Sequence, residues 1–141
     1  IEDRHFLHEL CNHYPGQVIV SIDARQNKVM CHGWTEETIY TPLEIAVDLQ
    51  ERGVAAIIYT DIDLDDDHPE ATFAMTTKMV DELHIPVISS GAVKTLDDIS
   101  TLRMLPNIAG VVVGRAIMNG AVSLVDALAV CQQPDTHAEF V

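Results

Sequence analysis

Gly110-Val111-Val112-Val113-Gly114-Arg115-Ala116-Ile117-Met118-Asn119-Gly120 decides how this chain folds. A β-branched run the length of a buried strand stops at a glycine, and a short helical segment opens directly behind it. A strand that feeds a helix without a hairpin turn belongs to a parallel sheet with crossover helices, so the rest of the chain should repeat the pattern.

It does. Working towards the N-terminus, Pro86–Ser89, Ala55–Thr60 and Gln17–Ile22 are further short apolar runs rich in β-branched residues. Their near-continuous hydrophobicity predicts strands covered on both faces. Helical segments lie between them. Thr41-Pro42-Leu43-Glu44 is a capping box with proline at the first helical position; its helix carries Leu43, Ala46, Val47 and Leu49 on an apolar side and ends near Gly53. Thr95-Leu96-Asp97-Asp98 and Ser123-Leu124-Val125-Asp126 open two more helices, and another covers about residues 71–84. Asp3–Tyr14 reads as the tail of an earlier helix, joined to the first strand through Pro15-Gly16. The order (α)βαβαβαβα runs through residues 1–141 as one domain, without a compositional break. The expected fold is α/β: four βα units with parallel strands, half of a (β/α)8 TIM barrel. Its 141 residues are about half of the roughly 250 of a complete barrel.

Composition limits the partners. With 48% hydrophobic and 21% charged residues the chain buries a core and is not disordered. Eight Lys and Arg against 22 Asp and Glu give a formal charge of −14, which repels nucleic acid and anionic membrane. An anionic metabolite remains compatible, because backbone N–H groups at helix starts hold phosphate whatever the net charge. Cys11, Cys31 and Cys131 have neither disulfide nor zinc spacing, which fits a reducing cytoplasm. No apolar run spans a bilayer, Ile1-Glu2-Asp3-Arg4-His5 is no signal peptide, and without an initiator Met the chain is expected to begin inside a longer reading frame or after a cleavage.

Right-handed crossovers put the C-terminal ends of all four strands on one rim, where ligands of such folds bind. Gly114-Arg115-Ala116 and Ser89-Ser90-Gly91-Ala92 follow the last two strands. They are either a phosphate cradle of backbone amides or two tight turns. Asp23 follows the first strand, where it serves as a catalytic carboxylate or as a loop cap, and Arg25 beside it is solvated or paired. Thr60 and Asp61 end the second strand on the same rim. The run Asp63, Asp65, Asp66, Asp67 and His68 lacks the glycine and terminal glutamate of an EF-hand, so a solvated acidic loop is expected rather than a metal site. Trp34, in Cys31-His32-Gly33-Trp34, lies inside the long connection between the first strand and the Thr41 helix, either a stacking ring over a ligand or a side chain packed on the rim. The seven histidines are scattered and give no hydrolase triad.

Ser21-Ile22-Asp23-Ala24-Arg25, Gly33-Trp34, Thr60-Asp61-Ile62, Ser90-Gly91 and Val111-Val112-Val113-Gly114-Arg115-Ala116 with Asn119-Gly120 together resemble the C-terminal half of a histidine-biosynthesis barrel. The family is phosphoribosylformimino-5-aminoimidazole carboxamide ribotide isomerase, and the likeness covers nearly the whole chain. The sister cyclase of the pathway lacks the Gly-Trp pair and carries Thr-Ser where this chain has Thr60-Asp61. The resemblance implies a cytoplasmic, cofactor-free and metal-free Amadori isomerase acting on a phosphorylated ribosyl compound. Two aspartates at opposite sides of the barrel mouth do its acid and base work. Asp23 matches one of them and Thr60 a residue beside the reacting carbons. Trp34 matches a ring that stacks on the substrate's imidazole, and Gly91, Gly114 and Arg115 match one of two phosphate sites. This chain departs from the family pattern at Asp63-Leu64-Asp65-Asp66-Asp67, where a basic residue and Asp-Gly-Thr are usual, and at Ala92, where a second glycine is usual.

Four parallel strands cannot close a barrel, and they leave two open edges and an uncovered inner face. The expected cover is a second copy in a homodimer or a complementary N-terminal half-barrel. The alternative function is a non-catalytic phosphometabolite-binding or assembly half-barrel; a flavodoxin-like domain would want more acidic residues at the first strand end than Asp23 alone.

Overall fold

The computed structural model describes residues 3–62 and 69–132. Helix α1 (Arg4–His13) leads to strand β1 (Ile19–Arg25), then to a hairpin of β2 (Lys28–Cys31) and β3 (Glu36–Glu37). There follow α2 (Pro42–Glu51), β4 (Ala56–Asp61), α3 (Pro69–Glu82), β5 (Val87–Ser90), α4 (Leu96–Arg103), β6 (Ile108–Val112), the short α5 (Arg115–Met118) and α6 (Leu124–Gln132). The strands form a six-stranded sheet in the order β3-β2-β1-β4-β5-β6. The run β1-β4-β5-β6 is parallel throughout, so the alternating α/β architecture expected from the sequence is present.

The helix starts follow local chemistry. Thr41 Oγ1 accepts from the Glu44 amide at 3.4 Å, and the Glu44 carboxylate accepts from the Thr41 amide at 2.8 Å. The Thr41 amide and the Thr41 hydroxyl, which also donates to Glu44 Oε2 at 2.8 Å, hold the Glu44 carboxyl below its ordinary pKa. Asp98 plays the glutamate's part for Thr95, with the Thr95 amide donating to Oδ2 at 2.8 Å. Helix α1 opens on Asp3, whose carboxylate accepts from the Phe6 amide at 2.8 Å. In α2 the buried residues are Pro42, Ile45, Ala46 and Leu49, an i, i+3, i+4, i+7 stripe. Val47, expected on the apolar side, lies one residue off that stripe and faces solvent.

All four expected strands shift by at least a residue, β1 and β6 the most. β1 continues to Arg25 because Ala24 and Arg25 pair with Val29 and Lys28 of the hairpin. Asp23 therefore lies inside a strand rather than after it. The hairpin itself has no Asn-Gly signature; Gln26 and Asn27 adopt the two left-handed conformations its two-residue turn requires, at φ 46° and 62°. β6 begins at Ile108 instead of Gly110, since Ile108 pairs with Val87.

The sheet has two unlike faces. Side chains alternating along the strands send Ile22, Ala24, Ile57, Tyr59 and Val87 against the helices, where they form a core with Ile45, Leu49, Met79 and Leu83. A second cluster, Ile99, Leu102, Ala116, Val122 and Ala127, closes the far end under α4 and α6. The opposite face carries Ile19, Ile58, Ile88 and Val112, of which Ile19 and Val112 are 50% and 47% exposed. No element among the described residues covers this face.

Candidate functional site

Strand register builds the site. Asp23 of β1 stands opposite Thr60 of β4, Thr60 opposite Ser90 of β5, and Ser90 opposite Val112 of β6. Residues in register share a face, so Asp23, Thr60 and Ser90 form a polar row across the C-terminal end of the uncovered inner surface. At about 4.8 Å per strand, the row from Asp23 to Val112 is roughly 14 Å long.

Asp23 is held at both carboxylate oxygens. The Ser21 hydroxyl donates to Oδ1 at 3.1 Å, and the Trp34 indole Nε1–H donates to Oδ2 at 2.7 Å. Ser21 and Arg25 share the face of Asp23 because each lies two residues away on the strand. Trp34 thus belongs to the rim at the carboxylate, and the residue is 49% exposed. His32, Gly33 and Trp34 reach that place through three successive left-handed residues, at φ 50°, 66° and 71°. The Thr35 amide, which donates to the Cys31 carbonyl at 3.2 Å, closes the loop.

At the other end of the row is a cavity of about 340 Å³ lined by Gly91, Val93, Lys94, Gly114, Arg115 and Asn119, with Val112 at its edge. The turns after β5 and β6 thus meet, and Gly91, Gly114 and Arg115 share one space. Gly91, at φ 85°, needs the left-handed conformation that glycine supplies cheaply. Gly114 caps α5, whose own first bonds run from the Ile117 and Met118 amides to the Gly114 carbonyl. The Ala116 amide thus lies ahead of the helical ladder at the helix's open end. Lys94 was not singled out in the sequence, yet it brings a second cation beside Arg115 in a chain with eight. Its signal was position alone, three residues past Gly91.

Asp61 does not join Asp23. Being next to Thr60 it points to the helical side, where the Thr72 hydroxyl donates to it at 3.4 Å. There it adds to burial in pushing the Tyr59 phenol above its ordinary pKa. The acidic run Asp63–Asp67 with His68 lies outside the described residues. Among the described residues no three His, Cys, Asp or Glu side chains converge as a metal site requires, and no helix is long and apolar enough to cross a membrane. Arg25 has interaction partners, and His32 approaches Glu36 at 3.7 Å.

The chain is similar to known proteins over most of its length. Residues 1–123 match the family described as histidine biosynthesis protein. The 1-(5-phosphoribosyl)-5-((5-phosphoribosylamino)methylideneamino) imidazole-4-carboxamide isomerase of Syntrophus aciditrophicus is 42% identical over 136 residues, covering 94% of this chain and 55% of that protein. The isomerase of the same name from Paramagnetospirillum magneticum is 43% identical over 121 residues, 86% of this chain and 51% of its own length. That from Thioalkalivibrio sulfidiphilus is 39% identical over 131 residues, with 92% and 54% covered. The chain spans about half the length of the curated relatives it matches. With its parallel α/β sheet and this match, the chain belongs to the histidine biosynthesis protein family.

Proposed function

We propose that residues 1–141 form one domain, the C-terminal half, strands five to eight, of an isomerase barrel. In this reading it works in histidine biosynthesis on the phosphoribosyl-aminoimidazole carboxamide named in its relatives. One observation carries the reading: Asp23, Thr60 and the cavity behind Gly91 and Gly114 lie on one end of one sheet face. A row of about three strand spacings suits a substrate longer than a single sugar phosphate.

The reaction is an Amadori rearrangement. Opening the ribose ring protonates the ring oxygen and leaves an imine at C1. Loss of the C2 proton moves the electron pair into the C1–C2 bond and places a proton on nitrogen. Return of a proton to C1, with loss of the proton of the C2 hydroxyl, then leaves the carbonyl at C2, so no oxidant, reductant or cofactor is consumed. Asp23 is one of the two carboxylates that move these protons, and Thr60 stands beside the reacting carbons. Trp34 offers an exposed ring face for the imidazole. Gly91, Gly114 and Arg115 hold one phosphate, through backbone approach and charge. The protein is cytoplasmic, and its inner face is covered by a complementary N-terminal half-barrel or by a second copy.

The test is isomerase activity of the chain mixed with the N-terminal half of a relative. Asp23→Asn should reduce turnover by at least about 100-fold while leaving ribose phosphate binding in place. Undiminished turnover would sink the catalytic role. A second reading is a half-barrel that binds a phosphometabolite without turnover. It is favoured by the presence of a single carboxylate, Asp23, in the described polar row. Binding without isomerisation in every reconstituted mixture would establish it.

A further inference from the structure

We infer that Ser21 is a positioning residue, which together with Trp34 clamps the Asp23 carboxylate in one rotation before a substrate arrives; this rests on the acid–base role proposed for Asp23. A carboxylate's last torsion is a broad, two-fold well, so one hydrogen bond leaves an aspartate free to rock. Here each oxygen has its own donor, and the donors come from different elements. Ser21 holds Oδ1 from the same strand, and Trp34 holds Oδ2 from the loop after β2.

A purely structural account of these bonds is weak. Ser21 is exposed and Asp23 is only half-buried, so water can reach both and folding does not demand the pairing. The loop also gives up backbone comfort to deliver the indole, since His32 and Trp34 are non-glycine residues in the left-handed region. Such strain persists where the surroundings fix a side chain for use. Of the two donors, Ser21 is the more rigidly mounted. It sits in β1 between residues paired to β4, with Ser21 itself in register with Ile58. Its hold on Oδ1 therefore does not depend on where the Trp34 loop stands.

The chain has one tryptophan, so its indole N–H gives a single resonance in a proton–nitrogen correlation spectrum of the whole chain. Asp23→Asn should move that resonance upfield, because the amide is the weaker acceptor. Ser21→Ala should move it the same way or split it, as the released carboxylate samples a second rotation, and Ser21→Thr should return it to the wild-type position. In the reconstituted isomerase, Ser21→Ala should lower kcat on the order of tenfold with KM unchanged, the size expected for a lost hydrogen bond to a charged group. An unmoved indole resonance in Ser21→Ala, or a shifted one in Ser21→Thr, would overturn the clamp. A change in KM alone would overturn it too. If Asp23→Asn retained full turnover, the isomerase reading would fail, while the indole spectra would still decide whether Ser21 orients the carboxylate.

Discussion

Gly114→Ala separates folding from phosphate binding at the cavity behind β6. A Cβ built on Gly114 meets no atom within 4 Å, and its φ of −111° lies outside the left-handed region. The folded state therefore tolerates a methyl group without a clash. Two small effects oppose each other: alanine restricts the unfolded chain, worth about 0.4–1 kcal/mol, and is poorer than glycine as a helix cap by a similar amount. The unfolding free energy should change by less than about 0.5 kcal/mol. Binding is different, because phosphate oxygens must come to about 2.9 Å from the amides that hold them, and the methyl group stands in that approach. Losing one such charge-assisted hydrogen bond costs about 1.5–3 kcal/mol, roughly a ten- to hundredfold weaker Kd. Urea unfolding and calorimetric titration with ribose 5-phosphate measure the two quantities on the same sample. Gly91→Ala is the contrasting variant: at φ 85° it should lose about 1–2 kcal/mol of stability. A Gly114→Ala protein that binds ribose 5-phosphate as wild type does would refute the cradle. One that unfolds like Gly91→Ala would refute the steric argument.

Lys94→Ala and Arg115→Ala should each weaken phosphate binding about tenfold at low salt and by less at high salt, because each removes one of the two cations lining the cavity; titrations at two ionic strengths check it. The buried phenol of Tyr59 has its pKa raised by desolvation first and by Asp61 second. The unfolded chain ionises near pH 10, before the folded one, so stability is intact below that pH and falls above it by at most about 1.4 kcal/mol per pH unit. Tyr59→Phe should remove this alkaline loss, and parallel losses in both proteins between pH 9 and pH 11 would contradict it.

Local interactions made much of the architecture legible. Thr41 with Glu44 and Thr95 with Asp98 are reciprocal caps that close within four residues, and the structure shows both. The four parallel strands were visible as β-branched runs, because their helix-facing side chains form the core and the opposite face is largely apolar too, with Ile19, Ile58, Ile88 and Val112. The hairpin was not visible. Its turn is Gln26-Asn27, and its pairing is set by contacts such as the Lys28 ammonium donating to the Ile39 carbonyl at 3.0 Å, eleven residues away. That hidden pairing extends β1 and places Asp23 inside a strand.

The candidate site divides in the same way. By itself the amino-acid sequence determined that Asp23, Thr60, Gly91 and Gly114 lie towards the C-terminal ends of strands or just past them, since that depends on residue type and spacing along a few neighbouring positions. Only the tertiary structure decided which of them share a face. Thr60 enters the row with Asp23 while adjacent Asp61 turns to Thr72 on the helical side. Likewise Trp34 finds Asp23, and Lys94 joins Arg115 across two turns. The physical reason is that a strand alternates its side chains with a period of two. A shift of one residue in register, invisible in composition, would exchange every inward group for an outward one.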